Sequence, residues 1–177
     1  MLSGFSIQNS ILKCENIEAE YMAIIGKYNK EEANLFANLL AELALGLASE
    51  LGDFLGEVFM TMELGSSRLG QFFTPYHLSK LMAQVTIGDK VSILSDKPFF
   101  TVSEPTCGAG GMIIAVADSL LESNLNPTET MWVEAQDLDP VAAMICYVQL
   151  SLLAIPARVI TGNTLTLEQN RVFYTPL

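Results

Sequence analysis

Three short stretches carry the residue types that could hold a ligand. The first reads EPTCGAGG over residues 104–111, with Glu104, Pro105 and Cys107 ahead of Gly108 and Gly110. Glycines at such a place allow a sharp turn and let a ligand approach backbone N–H groups, and a helix starting there offers its N-terminal N–H groups as well. The second reads DLDP over residues 137–140. The Asp137 carboxylate can accept both hydroxyls of a ribose, while Asp139 ahead of Pro140 also fits a helix N-cap. The third reads GNTL over residues 162–165, where the Asn163 amide can pair with an adenine edge. Each alone is an ordinary turn or cap. Their order and spacing together describe an adenosine site.

The elements that must position them follow from the apolar pattern. Residues 99–104, 131–136 and 158–161 predict strands, and residues 110–121 and 141–153 predict the helices between them. Strands alternating with helices through short links predict a parallel sheet covered by helices. In such a sheet ligands bind at the carboxyl ends of the strands, and all three stretches fall there. Upstream, residues 30–64 read as helical, with Leu35, Leu39, Leu43, Leu47 and Leu51 recurring four apart. Gly46, Gly52 and Gly56 weaken that run and predict two helices or one kinked helix. A short helix is predicted over residues 78–85, opened by Pro75, with loops at residues 65–70 and 87–98. Residues up to about 29 are weakly patterned. The division expected is an N-terminal helical segment over residues 1–64 and an α/β ligand-binding domain over residues 65–177.

Composition narrows the classes. A length of 177 residues suffices for one domain with a full core, and 50% hydrophobic against 16% charged residues excludes a disordered chain. The net charge is −11 and the nine Lys and Arg residues are scattered, which argues against an autonomous nucleic-acid surface. Cys14, Cys107 and Cys146 form no disulfide framework, and no basic-then-apolar leader is present, so the expected setting is the reducing cytoplasm. A single His leaves no zinc pattern, so no metal is expected. Residues 140–157 lack charge, but Tyr147, Gln149, Ser151 and Pro156 predict a buried helix rather than a membrane span. His77 is expected on an exposed helix and Trp132 in the core. Cys107 is expected as a small turn residue rather than a nucleophile, because no activating base accompanies it.

The loop departs from the dinucleotide fingerprint G-x-G-x-x-G. EPTCGAGG instead resembles the cofactor loop of S-adenosylmethionine-dependent methyltransferases, in the form used by DNA methyltransferases that modify the exocyclic amine of adenine. GQFFTP at residues 70–75 is similar to the stretch preceding that loop in the modification subunits of type I restriction systems, and DFLGEVFM at residues 53–60 resembles the helix before it. The resemblance spans residues 53–165 and implies a Rossmann-like methyltransferase fold with S-adenosylmethionine as cofactor. It implies that Phe73, Thr74 and Pro75 cover the methionine end, and that Glu104, Pro105, Cys107, Gly108 and Gly110 shape the loop. It further implies that Asp137 holds the ribose hydroxyls and Asn163 faces the adenine amine.

It also implies a catalytic tetrapeptide, [DNS]-P-P-[FYW], which accepts the amine hydrogens and stacks on the extruded base. NPTE at residues 126–129 precedes the second strand, which is the wrong place. YTPL at residues 174–177 stands where the tetrapeptide belongs along the chain, without an acceptor at its first position or an aromatic ring at its last. Catalytic residues therefore stay unassigned. The remaining strands, a target-recognition domain and a basic surface are also missing from the pattern. The implied protein is a cofactor half with an incomplete sheet, reaching DNA only through a protein partner that brings the other parts. An apolar edge is expected beyond the third strand, where a partner or a second copy would pair. The alternative reading is a non-catalytic interaction or anti-restriction module that keeps the methyltransferase fold.

Overall fold

The computed structural model describes residues 2–12, 15–62, 73–87 and 99–176. Cys14, Gly70, Gln71, Phe72 and the expected loops at 65–70 and 87–98 lie outside them, except Ile87, which ends a helix. Helices α1 (Leu2–Leu12), α2 (Glu15–Ile25), α3 (Lys30–Ser49), α4 (Phe54–Thr61) and α5 (Tyr76–Ile87) come first. Strand β1 (Phe100–Glu104), helix α6 (Gly111–Glu122), a single turn α7 (Pro127–Thr130) and strand β2 (Met131–Asp137) follow. Helix α8 (Pro140–Leu152), strand β3 (Ala157–Thr161) and strand β4 (Arg171–Tyr174) complete the described elements.

The alternation predicted between residues 99 and 161 is present, within one residue at most element ends. Caps account for that agreement. Asp139 accepts a hydrogen bond from the Val141 N–H at 2.9 Å, with Pro140 at the first helical position of α8. Gly110, at φ +96°, opens α6 without a side-chain cap. The strands form one sheet in the order β1-β2-β3-β4. β1, β2 and β3 are parallel, with Phe100 opposite Met131 and Val133 opposite Ala157. Both crossovers run the same way, so α6 and α8 lie on one face. Met131, Val133, Ala135, Ala157, Val159 and Phe173 point into that core, against Ile113, Ile114, Leu120, Tyr147 and Leu150.

The other face lacks such cover among the described residues. The register brings Thr101, Ser103, Trp132, Glu134, Gln136 and Arg158 there, all exposed or half-buried, and Arg158 bridges Glu134 at 2.9 Å. Trp132 is thus half-buried on the open face rather than part of the core. Helices were expected over the sheet as a whole, and parallel sheets are usually buried on both faces; among the described residues helices cover one, and on the other the segment between β3 and β4 reaches over Gln136 and Arg158, beside the buried Ile160.

β4 is a further difference. It pairs antiparallel with β3, Arg171 opposite Thr161 and Tyr174 opposite Arg158. The edge of β3 expected to stand open is therefore closed by the chain itself, and among the described residues the outer edges of the sheet are those of β1 and β4. Phe173 anchors β4 on Tyr147, ring centroids 5.4 Å apart.

The weakly patterned start is helical. α1 contacts α8, burying Phe5, and Arg171 ties α2 to β4 through Glu20 while lying 5.8 Å over the Phe5 ring. Of the two helices or one kinked helix expected over 30–64, the described residues show two helices. Asn29 and Glu32 form a capping box on α3, and Asp53 caps α4 through the Gly56 N–H. Phe5, Leu47 and Phe59 are buried, so the N-terminal helices contribute to the interior. The uncharged stretch at 140–157 is the buried helix α8 and its exit. Among the described residues no helix is long and apolar enough to cross a membrane.

Candidate ligand site at the strand ends

The carboxyl ends of β1, β2 and β3 are held together by hydrogen bonds between their loops. Asp137, at the end of β2, accepts from the Gly108 N–H at 2.8 Å through Oδ2 and from the Asp139 N–H at 2.9 Å through Oδ1. Its backbone carbonyl accepts from the Gly162 N–H at 2.9 Å, and the Cys107 N–H donates to the Gln136 carbonyl at 2.8 Å. The Thr164 hydroxyl donates to the Pro105 carbonyl at 2.6 Å, closing the third loop onto the first. Glu104, Pro105, Cys107, Gly108, Gly110, Asp137 and Asn163 are thereby gathered at one end of the sheet. An ionised carboxylate has about four lone-pair positions, so Asp137 keeps two for hydroxyl donors after serving the two N–H groups.

The loop's shape needs its glycines. Gly108 sits at φ +52° and a Cβ there would stand 3.0 Å from the Phe73 ring. Gly110, at φ +96°, leaves room for the Cys146 sulfur at 3.0 Å. Phe73 closes over Gly108 and also stacks on Phe59, centroids 5.2 Å apart, so it serves both cleft and core. Thr74 and Pro75 are exposed, and the Pro75 carbonyl accepts from the Leu78 and Ser79 N–H groups as α5 begins.

Between α5 and the loop lies a small open cleft, about 70 Å³ in volume. Phe73, Thr74, Cys107 and Gly108 line it, together with Asp53, Ser79, Thr106, Gly111 and Met112. Glu104, Pro105, Asp137 and Asn163 are not part of its lining; they border the same loop along the strand ends. Asn163 already uses its amide oxygen to accept from the Leu165 N–H at 3.0 Å.

Electrostatically the site is acidic. Burial pushes the Glu104 carboxyl above its usual range, aided by the nearby Asp137 charge and opposed by the Thr106 donors. Burial likewise raises the Asp53 carboxyl, against the lowering effect of Gln149 and Gly56. Among the described residues no Lys or Arg lines the cleft. Cys107 is buried, and its hydrogen bond with the Cys146 thiol, then burial, push its thiol well above the usual value. It is no thiolate nucleophile. His77 is exposed on α5.

Two cleft residues escaped the sequence reading. Asp53 caps α4, yet it is 4% exposed and its side chain reaches the cleft. Ser79 is fully buried on the inner face of α5, one turn from Ala83, with its hydroxyl unpartnered. Its only signal was a polar residue on an apolar helical stripe.

The expected position of YTPL is overturned by geometry. Because β4 runs antiparallel, Tyr174 lies opposite Arg158, at the start of β3 and the far end of the sheet from the glycine loop. Thr175 is buried there, accepting from the Ala157 N–H and donating to the Ile155 carbonyl, each at 2.8 Å. Tyr174, Thr175 and Pro176 fasten an edge strand and cannot serve the cleft.

A family model described as N-6 DNA methylase matches residues 51–173. A putative class I S-adenosylmethionine-dependent methyltransferase from Listeria monocytogenes aligns in structure with a TM-score of 0.50 and 15% identity, over 92% of this chain and 45% of that one. At that identity the likeness is one of fold, and the chain spans less than half of that structure's length. No curated protein matches the chain.

Proposed function

The chain belongs to the N-6 DNA methylase family, and we propose that it is the cofactor-holding part of an adenine-specific DNA methyltransferase of the restriction–modification kind, completed by a partner chain. Family membership makes S-adenosylmethionine the cofactor. The observation that carries the reading is the stapling of three strand ends into one site, Gly108 to Asp137 and Thr164 to Pro105. When bound, the cofactor supplies an electrophilic methyl group on its sulfonium.

The chain's own residues bind and orient. Asp137 accepts the ribose hydroxyls with its two remaining lone pairs. Gly108 and Gly110 bring the loop backbone close, and Phe73, Thr74 and Pro75 close the α5 side. Asp53, Glu104 and Asp137, with no cation lining the cleft among the described residues, suit a ligand of net positive charge, as this cofactor is. Asn163 offers its amide to the adenine edge.

What accepts the hydrogens of a target amine is assigned to the partner, since Tyr174, Thr175 and Pro176 are at the other end of the sheet. DNA contact is assigned to it as well, because a chain of net charge −11 repels a polyanion. A surface suited to such a partner is present. Leu78, Leu81, Met82 and Val85 are exposed at helical spacing on α5, and the outer edge of β1 has no strand paired to it among the described residues. The same surface also favours a second reading, an interaction module that does no chemistry. Labelled methyl transfer to unmodified duplex DNA tests the first. The chain alone should incorporate nothing above background, and clear turnover would refute the need for a partner.

A further inference from the structure

Gln149 is a primary amide wholly buried in α8, between Val148 and Leu150. Its Nε2 donates to Asp53 Oδ1 at 2.7 Å and to the Ala109 carbonyl at 2.9 Å, and its Oε1 accepts from the Leu55 N–H at 3.0 Å. Both amide hydrogens and the oxygen are thus served, which burial of such a group requires. The partners lie 96, 40 and 94 positions away, so the side chain joins three separate segments rather than supporting its own helix. Two of the partners open α4, where Asp53 also accepts from the Gly56 N–H at 2.9 Å. The third is in the glycine loop, at its softest peptide. Gly108 at φ +52° and Gly110 at φ +96° stand on either side of Ala109. A peptide unit ending in such a glycine can turn over at little steric cost, since glycine accepts either sign of φ. Gln149 holds the Ala109 carbonyl inward, and the Gly110 N–H of the same unit closes the turn on the Cys107 carbonyl at 2.8 Å.

We infer that Gln149 is a positioning residue: it locks the glycine loop in one shape and ties that shape to the seating of α4, so that the N-terminal helices govern the site. Gln149 is not part of the cleft lining and acts through Ala109, Asp53 and Leu55. The inference rests on the cofactor reading above and adds what regulates that site. Drawing α4 away removes Asp53 and Leu55 from Gln149 and leaves its amide free to release Ala109. The 109–110 peptide then samples other orientations. Affinity falls in proportion to the time the loop spends outside the competent shape, with no ligand contact removed. Coupling of this kind is reciprocal, so a ligand that holds the loop also steadies the start of α4.

Two variants of the full chain separate positioning from plain stability. Gln149→Met keeps the length of the side chain and removes its amide. Leu150→Ala, one position on, weakens the sheet core instead. By calorimetry Gln149→Met should bind S-adenosylmethionine about tenfold more weakly than the wild type, the scale of one net hydrogen bond. Leu150→Ala should stay within about twofold of the wild type even where its Tm falls further. Amide hydrogen exchange without ligand gives a second readout. In Gln149→Met the N–H groups of Leu55, Gly56, Gly108 and Gly110 should all exchange at least about tenfold faster, and in Leu150→Ala they should not. An affinity unchanged in Gln149→Met, or lost equally in Leu150→Ala, overturns the positioning role. Faster exchange in the loop without faster exchange at Leu55 and Gly56 overturns the tie to α4. A wild type that binds no cofactor overturns the cofactor reading instead, and the exchange pattern then decides the coupling alone. Should Gln149→Met fail to fold, the wild type carries the test. Under rising sub-denaturing urea those four amides should converge on one shared opening, and two separate openings would overturn the coupling.

Discussion

Replacing Asp137 by Ala should damage the protein in two separable ways. Without ligand, the carboxylate joins the β1 loop to the end of β2 through the Gly108 and Asp139 N–H groups, at 2.8 and 2.9 Å. A hydrogen bond to a charged acceptor nets about 1.5–3 kcal/mol when buried. Both bonds here are partly buried, so water replaces some of what is lost, and the low end applies: about 2–3 kcal/mol for the pair. For a domain of this size that is a fall in Tm of about 4–12 °C. Affinity is the second effect. Losing the ribose acceptor should weaken S-adenosylmethionine by about 1–3 kcal/mol, or roughly five- to 150-fold. Urea unfolding followed by circular dichroism reads the first quantity, and calorimetry below the variant's transition reads the second. Asp137→Asn is a useful companion, since its NH₂ must face one of the two N–H donors and should cost about half the stability. An unchanged Tm would refute the staple, and an unchanged affinity would refute the ribose assignment.

Other expectations follow from single features. Gly110→Ala forces a side chain onto φ +96° and against the Cys146 sulfur, and should cost about 2 kcal/mol or more in urea unfolding; a neutral result would mean that the loop adopts another shape. Cys107 should resist alkylation at pH 8 in the folded chain, because the Cys146 thiol and burial raise its pKa; rapid labelling would show an opened loop. For Asp53, burial raises the carboxyl above its usual 3.8, so the folded chain holds that proton more tightly than the unfolded one. Stability from this group is therefore lost as pH rises from 3.8 through the raised value. Asp53→Asn should gain stability over the wild type at neutral pH, with the gain shrinking as pH falls through that window. An advantage that grows on acidification would contradict the sign.

The middle of the fold was legible because its signals are local. Apolar strands between caps such as Asp139-Pro140 and turns such as Gly108 to Gly110 leave few alternatives, and the strand ends then dictate where a site can be. α1 and α2 were not legible because tertiary contacts create them. Gly4 is needed for the close approach of Met144, and Phe5 and Arg171 meet across 166 positions of sequence (171 − 5). β4 was missed because one buried ring, Phe173, and one buried hydroxyl, Thr175, carry a four-residue strand. Its direction then removed YTPL from the site, a fact that no linear spacing contains. Asp53 shows the limit for site residues: in sequence it is only the first residue of a helix-like stretch, and nothing local reveals that Gln149 holds it at the cleft.

The central claim is that the glycine loop and its two neighbouring strand ends hold S-adenosylmethionine. Calorimetric titration of the purified wild-type chain with that cofactor tests it most directly. The account predicts saturable one-to-one binding in the micromolar range. No heat of binding with millimolar cofactor would contradict it, and the stapled strand ends would then be structure without a ligand.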